Sequence, residues 1–65
     1  MKLSQRIRTT IDLHRQEYPD GDWKGVNDKL SDLFFESAPV LIRAGLDPWK
    51  LGNEGRAAKL EKMGL

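Results

Sequence analysis

The residue with the widest chemical range in this chain is His14, the one histidine and the one side chain whose ordinary pKa lies near neutrality. A histidine works in nucleophilic catalysis when a serine or cysteine stands beside it, and in metal binding when other ligands converge on the same point. Here there are no cysteines, and no serine falls at a helical spacing that presents it to His14. His14 lies instead on an apolar stripe, so it is expected to be a boundary histidine that packs. The acids of Asp20-Gly21-Asp22-Trp23-Lys24-Gly25 suggest calcium. Counting from Asp20, an acid stands third, a glycine sixth and Asp28 ninth. Lys24 then occupies a ligand position, and Ser31 stands where a bidentate glutamate is needed. A cation there meets a like charge and loses its main ligand, so the acids are read as turn and cap residues. No glycine-rich phosphate loop is present. These patterns indicate no enzyme, no cofactor and no metal.

Size and charge narrow the options further. A chain of 65 residues is one domain, residues 1–65. Chains this short bury only about 60% of the surface that unfolding exposes, so their stability is marginal without help. The absence of cysteine removes disulfides, and the single histidine removes histidine-rich zinc sites, which leaves pairing or partner binding as the aid. Eleven basic residues face ten acidic ones, so the net charge supplies no general attraction to nucleic acid. No apolar run approaches a membrane span, and the start Met1-Lys2-Leu3-Ser4-Gln5-Arg6 has no signal-peptide core behind it. The expected location is the cytoplasm, or a host cell's cytoplasm if a phage encodes the chain.

The elements that position these residues are helices. Leu3, Ile7, Ile11, His14 and Tyr18 recur at spacings of three and four, which predicts a first helix over residues 3–18 with Thr10 at its border and Leu13 outside its stripe. Pro19 disfavours helix at Tyr18, and Pro19-Asp20-Gly21-Asp22 is a turn. Asp22 is an expected N-cap. Trp23, Val26, Leu30, Leu33, Phe34, Ser37 and Leu41 then share one face, with Trp23, Leu30, Leu33 and Phe34 expected in the core. Gly25 weakens the first turn of that helix. Pro39 opposes a continuous helix, so the second helix is predicted to end near Glu36, with Ser37 capping a short third helix that has Pro39 in its first turn. One helix kinked at Pro39 is the alternative. Gly45 and Leu46 form a glycine C-cap with an apolar residue that packs back. Asp47-Pro48 starts a further helix, interrupted at Gly52, Asn53 and Gly55 and resumed from Arg56 to Met63. Gly64-Leu65 echoes Gly45-Leu46. The fold class is all-α, a small three- or four-helix bundle with short connections.

Two features suggest binding. Phe35 points away from Leu30, Leu33 and Phe34 by the hundred-degree step of a helix, and with Ile42 and Leu46 it makes a second apolar stripe that suits a dimer or partner interface. Burial of Phe35 inside the monomer is the competing expectation. Arg8 and Arg15, on one side of the first helix, are the expected basic rim of that interface, against a simpler pairing of Arg8 with Asp12. The second feature is Ala44-Gly45-Leu46-Asp47-Pro48-Trp49-Lys50-Leu51, which resembles the turn of helix-turn-helix DNA-binding domains. That resemblance implies Lys50, Asn53, Arg56 and Lys59 as DNA-contacting residues. Gly52 and Gly55 depart from it, because a recognition helix is stiff. In size and style the chain is similar to accessory proteins of phages and other mobile elements, many of which bind and inhibit a host protein, although no motif carries that likeness. The sequence therefore points to a non-enzymatic protein–protein interaction module, expected to be a homodimer that binds another protein. A small DNA-binding regulator is the alternative.

Overall fold

A computed structural model describes the chain at residues 1–21 and 23–65, with the backbone alone at residues 23 and 24. The expected Asp22 cap and the burial of the Trp23 side chain lie outside the described residues. Among the described residues three helices account for the fold: α1 (Leu3–Glu17), α2 (Trp23–Arg43) and α3 (Pro48–Lys62). Each packs against the other two. No strand occurs among the described residues.

Of the stripe predicted on α1 all but Tyr18 faces inward; Tyr18 falls just outside the helix and is exposed. Ile7, Ile11 and His14 are buried, together with Ser4. From α2 come Val26, Leu30, Leu33 and Leu41, and from α3 Ala57 and Leu60. Leu41 and Leu60 lose all contact with solvent, and full burial of a leucine contributes about 1.5–3 kcal/mol. Phe34, predicted in this core, is half-buried at its edge.

The helix ends follow local chemistry. Tyr18, held by Pro19, leaves helical geometry (φ −129°, ψ 69°), which ends α1 at Glu17. After α2, the Gly45 amide donates to the Ile42 carbonyl and the Leu46 amide to that of Leu41, each at 3.0 Å. Gly45 has φ +80°, as a glycine C-cap of this type requires. The chain's end repeats the device: Gly64 donates to Glu61, and Leu65 to Leu60. The Asp47 carboxylate accepts from the Trp49 amide at 3.0 Å, with Pro48 opening α3.

Two expectations about α2 and α3 need correction. The second helix does not end at Glu36, and Ser37 does not cap a new one. α2 runs unbroken through Pro39 to Arg43, and the buried Ser37 hydroxyl donates to the Phe34 carbonyl within it at 3.1 Å. The physical reason is where Pro39 sits. It lies on the solvent side, so the Phe35 carbonyl that loses its donor can take one from water, while packing of Ser37 and Leu41 holds the helix on either side. In α3 the interruption is concentrated at one residue, Gly52 (φ 70°, ψ 174°). Helix lies on both sides of it, so Pro48 and its neighbours form a short arm that meets the longer segment at an angle.

Candidate functional site

Gly52 builds the site. By breaking α3 it sends Trp49 across to α2, and the Trp49 ring lies 4.5 Å from that of Phe34. Phe34 also meets Phe35, at 5.8 Å in an edge-to-face arrangement. Phe35 is 70% exposed and Trp49 76% exposed. Three aromatic rings thus form a row across the α2–α3 junction, with the outer two open to solvent. Between the helices they wall a groove of about 420 Å³ whose floor includes Leu30 and whose polar edge carries Asn27, Asn53 and Arg56.

Arg56 explains how the broken helix is held. It is only 9% exposed. One guanidinium nitrogen donates to the Pro48 carbonyl at 2.7 Å, and the other donates to Asn53 Oδ1. The side chain therefore bridges the two pieces of α3, supplying a donor to a carbonyl beside the break. Its charged group lies over the Phe34 ring, with Cζ 4.7 Å from the ring centre, so Phe34 contacts both Arg56 and Trp49. Asn53 Nδ2 donates to Asn27 Oδ1 at 3.2 Å, tying α3 to α2. Burial pushes the Arg56 guanidinium below its ordinary pKa. Its partners are neutral acceptors and a ring face. Among the described residues the ion pairs engage Arg6, Arg8, Arg15 and Lys29, and none engages Arg56.

The predicted site residues divide between places. Phe35 and Ile42 stay at the surface, Ile42 at 61% exposure, and seven residues apart they share the outer face of α2 with Pro39 between them. Leu46 instead packs, half-buried, against the core. Arg8 and Arg15 of α1 do not stand beside that face as a free rim. Arg8 pairs with Glu61, and Arg15 with Glu54 at 2.6 Å, both across to α3. The i,i+4 partner Asp12 is not the one Arg8 uses. Of the residues implied by the helix-turn-helix likeness, Lys50 is exposed and Lys59 half-buried, while Asn53 and Arg56 belong to the groove. The break at Gly52 puts Lys50 on a different segment from the other three.

His14 is buried at 2% exposure, its ring 4.8 Å from that of Tyr18. Among the described residues no cluster of histidine, cysteine or acidic side chains gathers for a metal ion, and no helix is long and apolar enough to cross a membrane. Comparison of the chain with protein-family models, curated proteins and solved structures yields no match.

Sequence reasoning missed Trp49 and the burial of Arg56. A signal for Trp49 was present. It stands two residues from Leu51, some two hundred degrees round a helix, and Leu51 packs against the core. Nothing local marks Arg56, because its burial depends on the break at Gly52 and on Phe34 from another helix.

Proposed function

We propose that the chain is a non-enzymatic interaction module that binds another protein through the α2–α3 face. The observation that carries this reading is the row Phe35–Phe34–Trp49, with two large aromatic side chains left mostly in solvent beside a groove. A small domain with few large apolar residues loses stability by leaving two of them outside its core, and an exposed apolar cluster of this kind is what interfaces use as anchors. Occupying the surface of a host protein, as small phage accessory proteins do, is the mode of action that its size suits.

Self-association is part of the same reading. It rests on the marginal size of the chain and on Ile42, exposed beyond Pro39 on α2. Sedimentation equilibrium tests it: a species of only 7.4 kDa at high micromolar concentration removes the dimer. DNA binding has less support, since eleven basic residues face ten acidic ones, Lys59 is half-buried, and Lys50 is separated from Asn53, Arg56 and Lys59 by the Gly52 break.

The test of partner binding is affinity capture from cells that produce the protein, repeated with Phe35→Ala and Trp49→Ala after circular dichroism has established that both variants are folded. The expected result is a protein retained by the wild type and lost with either variant. Equal retention by all three removes the α2–α3 face from consideration.

A further inference from the structure

We infer that the groove between α2 and α3 receives an acidic–apolar segment of the partner protein, with a carboxylate meeting Arg56 and the adjoining apolar side chain seated between Phe35 and Trp49. This rests on the reading of the same face as the binding surface and adds the chemistry of what binds there.

The argument starts from charge. A guanidinium has five N–H donors in a planar fork. At Arg56 two hydrogen bonds are made, to the Pro48 carbonyl and to Asn53, and one face of the plane lies on Phe34. Those contacts orient the group but leave its charge without a counter-ion among the described residues. A cation removed from water without a carboxylate is costly, and the burial that lowers the Arg56 pKa is the same cost seen as protonation. A structural link between Pro48 and Asn53 needs donors and not a charge, and a neutral amide or hydroxyl would supply them at less expense. An arginine at the edge of an open groove has a further use: its fixed fork matches a carboxylate in two-point geometry.

The rest of the groove describes the other half of the ligand. Its walls are the exposed rings of Phe35 and Trp49, its floor includes Leu30, and Asn27 and Asn53 lie beside Arg56. The polar end and the aromatic end thus adjoin, so the complementary group is a carboxylate next to an aliphatic or aromatic side chain. A nucleic-acid duplex offers phosphates to the cation but no group to the apolar wall. A single strand could stack bases on the rings, but a net charge of +1 gives its backbone little to track. A purely apolar helix fits the wall but gives Arg56 no counter-ion. Arg56 is held by its hydrogen bonds to Pro48 and Asn53 and by the Phe34 ring, so little side-chain freedom remains to be lost on binding.

Selection of short random peptides displayed against the folded protein tests this directly, with the selected peptides then used as probes. The expected peptides carry aspartate or glutamate next to an apolar residue. Changing that acid to its amide is expected to weaken binding at least about tenfold, as loss of a hydrogen bond to a charged group does, and Trp49→Ala is expected to weaken it comparably. In nitrogen-15 spectra the Arg56 Nε–H signal should shift when the peptide is added. The peptide-side change leaves the protein intact, so the outcome does not depend on whether Arg56→Gln folds. Peptides that bind with Trp49 sensitivity but tolerate the acid-to-amide change overturn the carboxylate while leaving the interaction face standing. Self-association abolished by Trp49→Ala, with no acidic peptide selected, makes a second copy the occupant and overturns the inference. Binding that is indifferent to both Trp49→Ala and Phe35→Ala overturns the face itself.

Discussion

A β-carbon at Gly25 would lie 3.1 Å from Cε1 of His14. The glycine in the first turn of α2 is therefore the notch that admits the buried imidazole from α1. Alanine there would ordinarily stabilise a helix by up to about 1 kcal/mol. Gly25→Ala is expected to give none of that gain, because the ring must yield in a packed interior. In a His14→Ala background the gain should return. Chemical denaturation of the four proteins of this double-mutant cycle measures the coupling, and equal gains in both backgrounds would show that the notch is incidental.

Pro39 offers a test in the opposite direction. In the interior of α2 it deprives the Phe35 carbonyl of its helical donor, a cost of about 3 kcal/mol relative to alanine. Part of this is offset by the stiffness that proline gives the unfolded chain, about 1 kcal/mol at most. Pro39→Ala is thus expected to raise stability by about 2–3 kcal/mol. A drop in melting temperature would mean that the ring of Pro39 packs more tightly than its exposure indicates.

Residues that end or start helices through their own backbone chemistry were legible in the sequence. Pro19, Gly45 with Leu46, Asp47 with Pro48, and Gly64 with Leu65 act on neighbours within a few positions, so their types and order suffice. The stripes of α1 and α2 were legible for the same reason, being fixed by helical periodicity. Pro39 misled because its local penalty was weighed without the packing of Ser37 and Leu41 that outweighs it. For the site, Phe35 and Ile42 followed from counting around α2. Arg56 did not, since its partners Pro48, Asn53 and Phe34 meet only after Gly52 turns the chain.

That turn can be tested alone. Gly52 has φ 70° and ψ 174°, a region that residues with a β-carbon essentially avoid. Apart from its chain neighbours and the adjoining helix backbone, no atom stands within 4 Å of where its β-carbon would be, so a substitution meets backbone strain and no packing clash. Gly52→Ala is expected to cost about 1–3 kcal/mol. It should also disturb the environment of Trp49 and Arg56, visible in the indole N–H and Arg56 Nε–H resonances. A stable variant with unchanged resonances would show that α3 does not need the break.

The last prediction separates the two uses of a phenylalanine. Phe34 and Phe35 are adjacent, yet Phe34 contacts both the Trp49 ring and the Arg56 guanidinium while Phe35 projects with 70% of its surface in solvent. Removing Phe34 takes a support from both flanking groups and opens the edge of the core. Large-to-small changes of aromatic residues cost about 3–5 kcal/mol when burial is complete, so a half-buried ring should cost about 2 kcal/mol. Removing Phe35 deletes a side chain that packs little within the chain, and surface changes of that kind stay within about 0.5 kcal/mol. Thermal melts followed by circular dichroism should therefore show Phe34→Ala clearly destabilised and Phe35→Ala close to the wild type, whereas a binding assay with a selected peptide should show Phe35→Ala impaired although folded. If Phe35→Ala instead loses helicity as Phe34→Ala does, the ring belongs to the monomer's own packing. The groove would then have one exposed anchor, Trp49, and a correspondingly smaller surface for any partner.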